Sequence, residues 1–145
     1  MNDCVIDATI VCLSNQALAN RAPGSPLDQR LRVIELVISA IRRVRFNARL
    51  LSEYERVARK HQNDLIQLFF AILDSPKAVR VSRNSLSRQV YAAAVGDCGW
   101  PSHDQHLIAA ALDGVNPCIC VTESHHAVCS ELIWRRLKIQ IEHIH

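Results

Sequence analysis

Four acidic residues stand where their neighbours make a carboxylate expensive. Asp7 interrupts the apolar run Val5-Ile6-Asp7-Ala8-Thr9-Ile10-Val11. Glu123 directly follows Cys118-Ile119-Cys120-Val121-Thr122, and Asp104 leads into the apolar stretch Leu107–Leu112. Glu53 lies in Leu50-Leu51-Ser52-Glu53-Tyr54-Glu55, where Glu55 is an equal candidate by spacing. A carboxylate among apolar groups must be hydrogen-bonded, paired or coordinated to a cation. Structural roles would also serve. Asp7 suits the cap of a following helix. Ser102-His103-Asp104-Gln105 fits a capping box that puts Asp104 in a first helical turn, where the helix dipole favours negative charge. Glu53 could be an ordinary solvated helix residue.

The elements that carry these residues alternate in type. Continuous apolar runs at Val5–Val11 and Cys118–Val121 read as parallel strands buried on both faces, with Asp7 and Glu123 at or near their ends. Ala78–Val81 reads as a strand, and Lys138–Ile141 alternates as an edge strand does. A weaker strand signal lies near Arg45–Asn47. Leu27, Leu31, Ile34, Ile38 and Ile41 recur at helical spacing and predict one long amphipathic helix after a loop at Asn20–Pro26. Further helices are predicted over Leu50–Lys60, Asn63–Leu73, Ser85–Val95 and Ser102–Leu112. This alternation predicts a three-layer α/β/α sandwich around a central, mainly parallel sheet of four or five strands. Ligands of such folds bind beyond the carboxyl ends of the strands.

The chain of 145 residues suits a single domain spanning 1–145. With 49% apolar and 21% charged residues it has a soluble globular mix, and no apolar run approaches the ~18–20 residues of a membrane span. Its opening, Met1-Asn2-Asp3-Cys4, lacks the basic start of a signal peptide, so a cytoplasmic location is expected. Six cysteines are then expected as reduced, mostly buried thiols, with Cys118 and Cys120 on one strand face. Only four glycines leave no Gly-rich phosphate loop. Arginines crowd Arg42–Arg59, Arg80–Arg88 and Arg135–Arg136, as a phosphate-tracking surface or as solvated helix faces. His125 and His126 read as a solvated helix start, with RNA contact as the alternative. Trp100, before Pro101, reads as a loop anchor, with base stacking as its alternative.

Four segments, in order, resemble the motifs of the PIN-domain nucleases. Val5-Ile6-Asp7-Ala8-Thr9 resembles the opening strand and its aspartate. Leu51-Ser52-Glu53-Tyr54-Glu55-Arg56-Val57 resembles the second motif. Asp104-Gln105-His106-Leu107-Ile108-Ala109-Ala110-Ala111 resembles an aspartate leading an Ala-rich buried helix, and Val121-Thr122-Glu123-Ser124 the last strand end. Ser124 stands where that motif usually has an aspartate, with Glu123 one position earlier. The resemblance spans about residues 4–141. It implies metal-dependent endonucleolytic hydrolysis of RNA, with Mg2+ or Mn2+ as cofactor, oxygen ligands being what such hard cations take. It makes Asp7, Glu53, Asp104 and Glu123 the metal and catalytic set, and Thr122, Ser124, Arg49, Arg56 and Lys60 the substrate contacts. Small members resemble toxins of toxin–antitoxin pairs, which implies an antitoxin-like partner and a homodimer. The alternative is a catalytically degenerate PIN-like module that binds RNA or serves as a scaffold.

Overall fold

A computed structural model of the chain describes residues 1–19, 29–58 and 62–144. Five strands form one sheet: β1 (Asn2–Ile6), β2 (Arg42–Phe46), β3 (Val79–Arg80), β4 (Cys118–Val121) and β5 (Gln140–His143). Their order is β3-β2-β1-β4-β5, and every neighbouring pair is parallel. Cys4 stands opposite Val44 on one side and Cys118 on the other, and Ile6 stands opposite Cys120. β4 is buried along its whole length and β1 from Asp3 onward, which is why both read as unbroken apolar runs.

Eight α-helices surround this sheet among the described residues. They are α1 (Ala8–Ala19), α2 (Gln29–Ile38), α3 (Ala48–Val57), α4 (Asp64–Leu73), α5 (Arg88–Tyr91), α6 (Gln105–Ala111), α7 (Ser124–Val128) and α8 (Ser130–Leu137). α6 is buried at every residue from His106 to Ala111 and packs across β1, β2 and β4. α1 packs on α2, α3 and α4, and this group reaches the sheet at β2 and β4. The result is the expected three-layer α/β/α sandwich. None of the described helices is long and apolar enough to cross a membrane.

Several boundaries differ from the sequence reading, each for a local reason. The first apolar run divides. The Asp7 N–H donates to the Cys120 carbonyl at 3.0 Å, while the Asp7 carbonyl accepts from Ile10 N–H at 2.9 Å, so the ladder ends and α1 begins. Ile10 and Val11 are buried by a helix, not a strand. The long amphipathic helix stops at Ile38, because the chain turns through Ala40 in the left-handed region (φ 60°). Ile41, expected on its apolar face, is exposed.

The weak strand near Arg45–Asn47 is β2, and it starts at Arg42. Its arginines masked it in the sequence, yet each is matched. Arg43 pairs with buried Asp3 at 2.7 Å, Arg42 with Glu142 at 2.8 Å, and Arg45 Nε donates to the Ala110 carbonyl at 2.8 Å. These three cations are therefore engaged within the fold and do not form a phosphate-tracking surface.

The Ser85–Val95 helix begins only at Arg88, capped by Ser87, and widens into a π-helical turn over Ala92–Asp97. The capping box at Ser102 does not form. Ser102–Asp104 is a 3-10 turn, and the Gln105 side chain instead accepts from Leu86 N–H at 3.0 Å. Lys138 ends α8 in the left-handed conformation (φ 57°), so β5 begins at Gln140. The Asn20–Pro26 loop, the Leu27 position, Arg59 and Lys60 lie outside the described residues.

Candidate metal centre

β1 and β4 lie side by side at the middle of the sheet. The chain proceeds from β1 to one edge through β2 and β3, and from β4 to the other edge through β5. Such a reversal opens a crevice at the carboxyl ends of the two central strands, where α/β proteins place their ligands. β1 delivers Asp7 to this point and β4 delivers Glu123. Asp7, Glu53, Asp104 and Glu123 all line one cleft of about 400 Å³, together with Ala8, Thr9, Arg49, Arg56 and His103. The four acids singled out in the sequence are thus brought together.

Glu53 owes its place to two buried polar residues. Asn47 caps α3 by accepting from Leu50 N–H at 3.0 Å, and its amide donates to the carbonyls of His106 (3.0 Å) and Arg83 (3.1 Å). Tyr54, fully buried, donates its hydroxyl to the Ile6 carbonyl at the end of β1. α3 is thereby tied to both α6 and β1. The Glu53 carboxylate then lies 3.1 Å from Arg49 Nε and 3.2 Å from His106 Nε2. Glu55, its equal by spacing, is exposed and lines a separate cavity with Ser52, Gln62 and Phe70.

Asp104 is fixed through backbone and side chain alike. Gly99, at φ 79°, turns the chain into Trp100, whose indole N–H donates to the Asp104 carbonyl at 2.9 Å. Trp100 is 1% exposed, so it is a loop anchor with no face free for a base. Asp104 Oδ2 lies 2.8 Å from His126 Nε2 and 3.4 Å from His103 Nε2. Glu123 is half exposed and lies 3.0 Å from His125 Nε2. His125 and His126 do open a helix, α7. Only His125 is solvated, however, whereas His126 is buried against Trp100 with ring centroids 4.7 Å apart.

Charge in the cleft is unevenly shared. Burial pushes the Asp7 carboxyl up to about 6, helped by the negative charges of Asp104, Glu123 and Glu53 and opposed by His126. Burial also acts to raise Asp104. There the hydrogen bond with His126, and the charges of His126, His103 and His106, outweigh it and hold the carboxyl below the usual range. Carboxylate oxygens are the donors a hard divalent cation such as Mg2+ or Mn2+ takes, and its charge would relieve the crowding that raises Asp7, although among the described residues no close group of three ligand atoms includes Asp7 or Glu53.

The other expected contacts divide. Arg49 and Arg56 line the cleft, and Lys60 lies outside the described residues. Thr122 and Ser124 line a neighbouring cavity of about 390 Å³ with Leu13, His143 and Ile144, and the Thr122 carbonyl lies 2.9 Å from His143 Nε2. Sequence reasoning passed over Asn47 and His106, and it read His126 as solvated where the structure buries it. A single imidazole in the otherwise apolar Leu107–Ala111 helix was the available signal for His106. All six cysteines are free, and five are buried. The sulfurs of Cys118 and Cys120 share a face as expected, each 3.7 Å from Arg42 Nη1, so their positive neighbour is supplied by the chain itself.

No family model matches the chain, and neither a curated protein nor a solved structure matches it.

Proposed function

We propose that this chain is a metal-dependent endoribonuclease of PIN type that hydrolyses RNA phosphodiester bonds in the acidic cleft. The observation that carries this reading is the convergence of Asp7, Glu53, Asp104 and Glu123, from four separate elements, on the crevice between β1 and β4. Asp7 and Asp104 would hold Mg2+ or Mn2+ directly, Glu53 directly or through water, and Glu123 through water. A cation so held supplies Lewis acidity for activating water and for neutralising charge on the phosphate. Arg49 and Arg56 flank Glu53 on α3 and would grip the backbone of the RNA on either side of the acids. The resemblance to toxin-type members adds an antitoxin-like protein as partner, a homodimer as assembly and the cytoplasm as location.

A catalytically degenerate RNA-binding or scaffolding module is the second reading. It is favoured by the histidine contacts of Asp104 and Glu123, whose ring nitrogens already occupy carboxylate oxygens that a cation would take. The deciding experiment incubates the chain with labelled single-stranded and structured RNAs in Mn2+, Mg2+ or EDTA, beside the Asp7→Asn/Asp104→Asn variant. Cleavage that needs metal and disappears in the variant is the expected result. No cleavage, with no Mn2+ or Mg2+ binding by calorimetry, would falsify the nuclease reading in favour of the second.

A further inference from the structure

The two halves of the cleft differ in donor chemistry. Around Asp7 and Glu53 carboxylate oxygens meet the His106 imidazole, whereas the rim formed by Asp104 and Glu123 carries His103, His125 and His126. Two sets of three ligand atoms, one from each residue, lie within 4.8 Å of one another: His103, Asp104 and His125, and Glu123, His125 and His126. His125 belongs to both. These residues come from three parts of the fold: the 3-10 turn before α6, the second residue after β4 and the first turn of α7.

The spacing of His103, Asp104 and His125 suits one ion. Bonds of about 2.1 Å in a tetrahedral zinc site put ligand atoms roughly 3.4 Å apart. His103 Nε2 lies 3.4 Å from Asp104 Oδ2, and His125 Nε2 lies 3.0 Å from Glu123 Oε2. His126 stands behind them with its ring centroid 4.3 Å from that of His125, and its Nδ1 is buried without a hydrogen-bond partner. Imidazole mixed with carboxylate favours borderline transition ions over Mg2+, which prefers oxygen and water.

We propose that His103, Asp104 and His125 form a binding site for a Zn2+-class transition-metal ion at the rim of the cleft, with water completing the coordination, Glu123 beside His125 and His126 positioning Asp104. The site rests on the proposed metal-dependent reading to the extent that it shares Asp104 with it. Binding of the ion itself does not require RNA cleavage. His103 and His125 are both exposed, so they can be replaced without disturbing the core.

The test is titration of the full chain with Co2+, which has visible d–d absorption, followed by competition with Zn2+ and with Mg2+. A tetrahedral-type Co2+ spectrum that Zn2+ abolishes and excess Mg2+ leaves intact is expected. His125→Ala and His103→Ala should each weaken Zn2+ binding by about tenfold or more, with unchanged circular dichroism, while Asp7→Asn keeps the spectrum. Unchanged Zn2+ affinity in the His103→Ala/His125→Ala double variant overturns the site. So does loss of the Co2+ spectrum in Asp7→Asn, which would put the ion among the oxygen donors. A Co2+ spectrum without RNA cleavage keeps this site and removes the nuclease, whereas Mg2+-driven cleavage without that spectrum does the reverse.

Discussion

His126 Nε2 lies 2.8 Å from Asp104 Oδ2, and the same imidazole packs on Trp100, whose indole N–H holds the Asp104 carbonyl. One aspartate is thus fixed at both ends by a pair of rings in contact, tilted by 41° to one another. His126→Ala removes a buried hydrogen bond to a charged group and should cost about 2 kcal/mol of stability at neutral pH. Asp104 is depressed in the folded chain, so its contribution is present above the unfolded value of 3.8 and is lost as pH falls through the folded value. The penalty of His126→Ala, followed by urea unfolding, should therefore shrink in acid. A penalty independent of pH would show that the ring acts by packing alone.

Asp7 carries the opposite sign. Its folded value of about 6 lies above the unfolded 3.8, so between them the folded chain holds the extra proton. Stability of the metal-free protein then falls as pH rises through this window, by roughly 3 kcal/mol once Asp7 is ionised. Asp7→Asn should raise the melting temperature near pH 7.5, and the gain should vanish near pH 4. Equal melting temperatures at pH 7.5 would count against this account.

The same proton competes with metal. Mn2+ affinity, measured by calorimetry, should rise by up to about tenfold per pH unit below pH 6 and level off above it. A flat profile across that range would place the ion away from Asp7.

Tyr54→Phe deletes only the hydroxyl that reaches the Ile6 carbonyl, leaving a buried acceptor without its donor. The expected loss is about 1–3 kcal/mol, read as a lower melting temperature at roughly 2–4 °C per kcal/mol. Because this bond ties α3 to β1, cleavage by the folded variant should also fall as Glu53 drifts from Asp7. Full activity at full metal affinity would contradict that coupling.

Arg56→Ala should weaken binding of single-stranded RNA and flatten the salt dependence of the binding constant by about 0.7 for each phosphate that the guanidinium neutralises. Fluorescence anisotropy across a salt series measures both. An unchanged slope would remove Arg56 from the path of the RNA.

Much of this architecture was legible because burial leaves a mark on composition. β1 and β4 announced themselves as apolar runs, and the acids at their ends stood out for want of polar company. What stayed hidden depends on partners remote in sequence. β2 reads as a basic segment until Asp3 and Glu142 are brought beside its arginines. The divided first run could not be placed, since only the Cys120 carbonyl shows where strand pairing ends. Glu53 and Glu55 were inseparable by spacing, and the helix face buried through Leu50 and Tyr54 places Glu53, one turn after Leu50, at the cleft. His106 was missed and His126 read as solvated for the same reason, their roles being set by carboxylates far along the chain.

The parallel pairing of Cys4 with Cys118 sets an order of events during synthesis. β1 leaves the ribosome well before β4, yet β4 is its central neighbour. Until β4 arrives, Glu123, which follows it in the chain, cannot stand beside Asp7. A nascent chain therefore has no complete acidic centre while β4 is still inside the ribosome, and cutting, if the centre cuts RNA, waits until that strand has emerged.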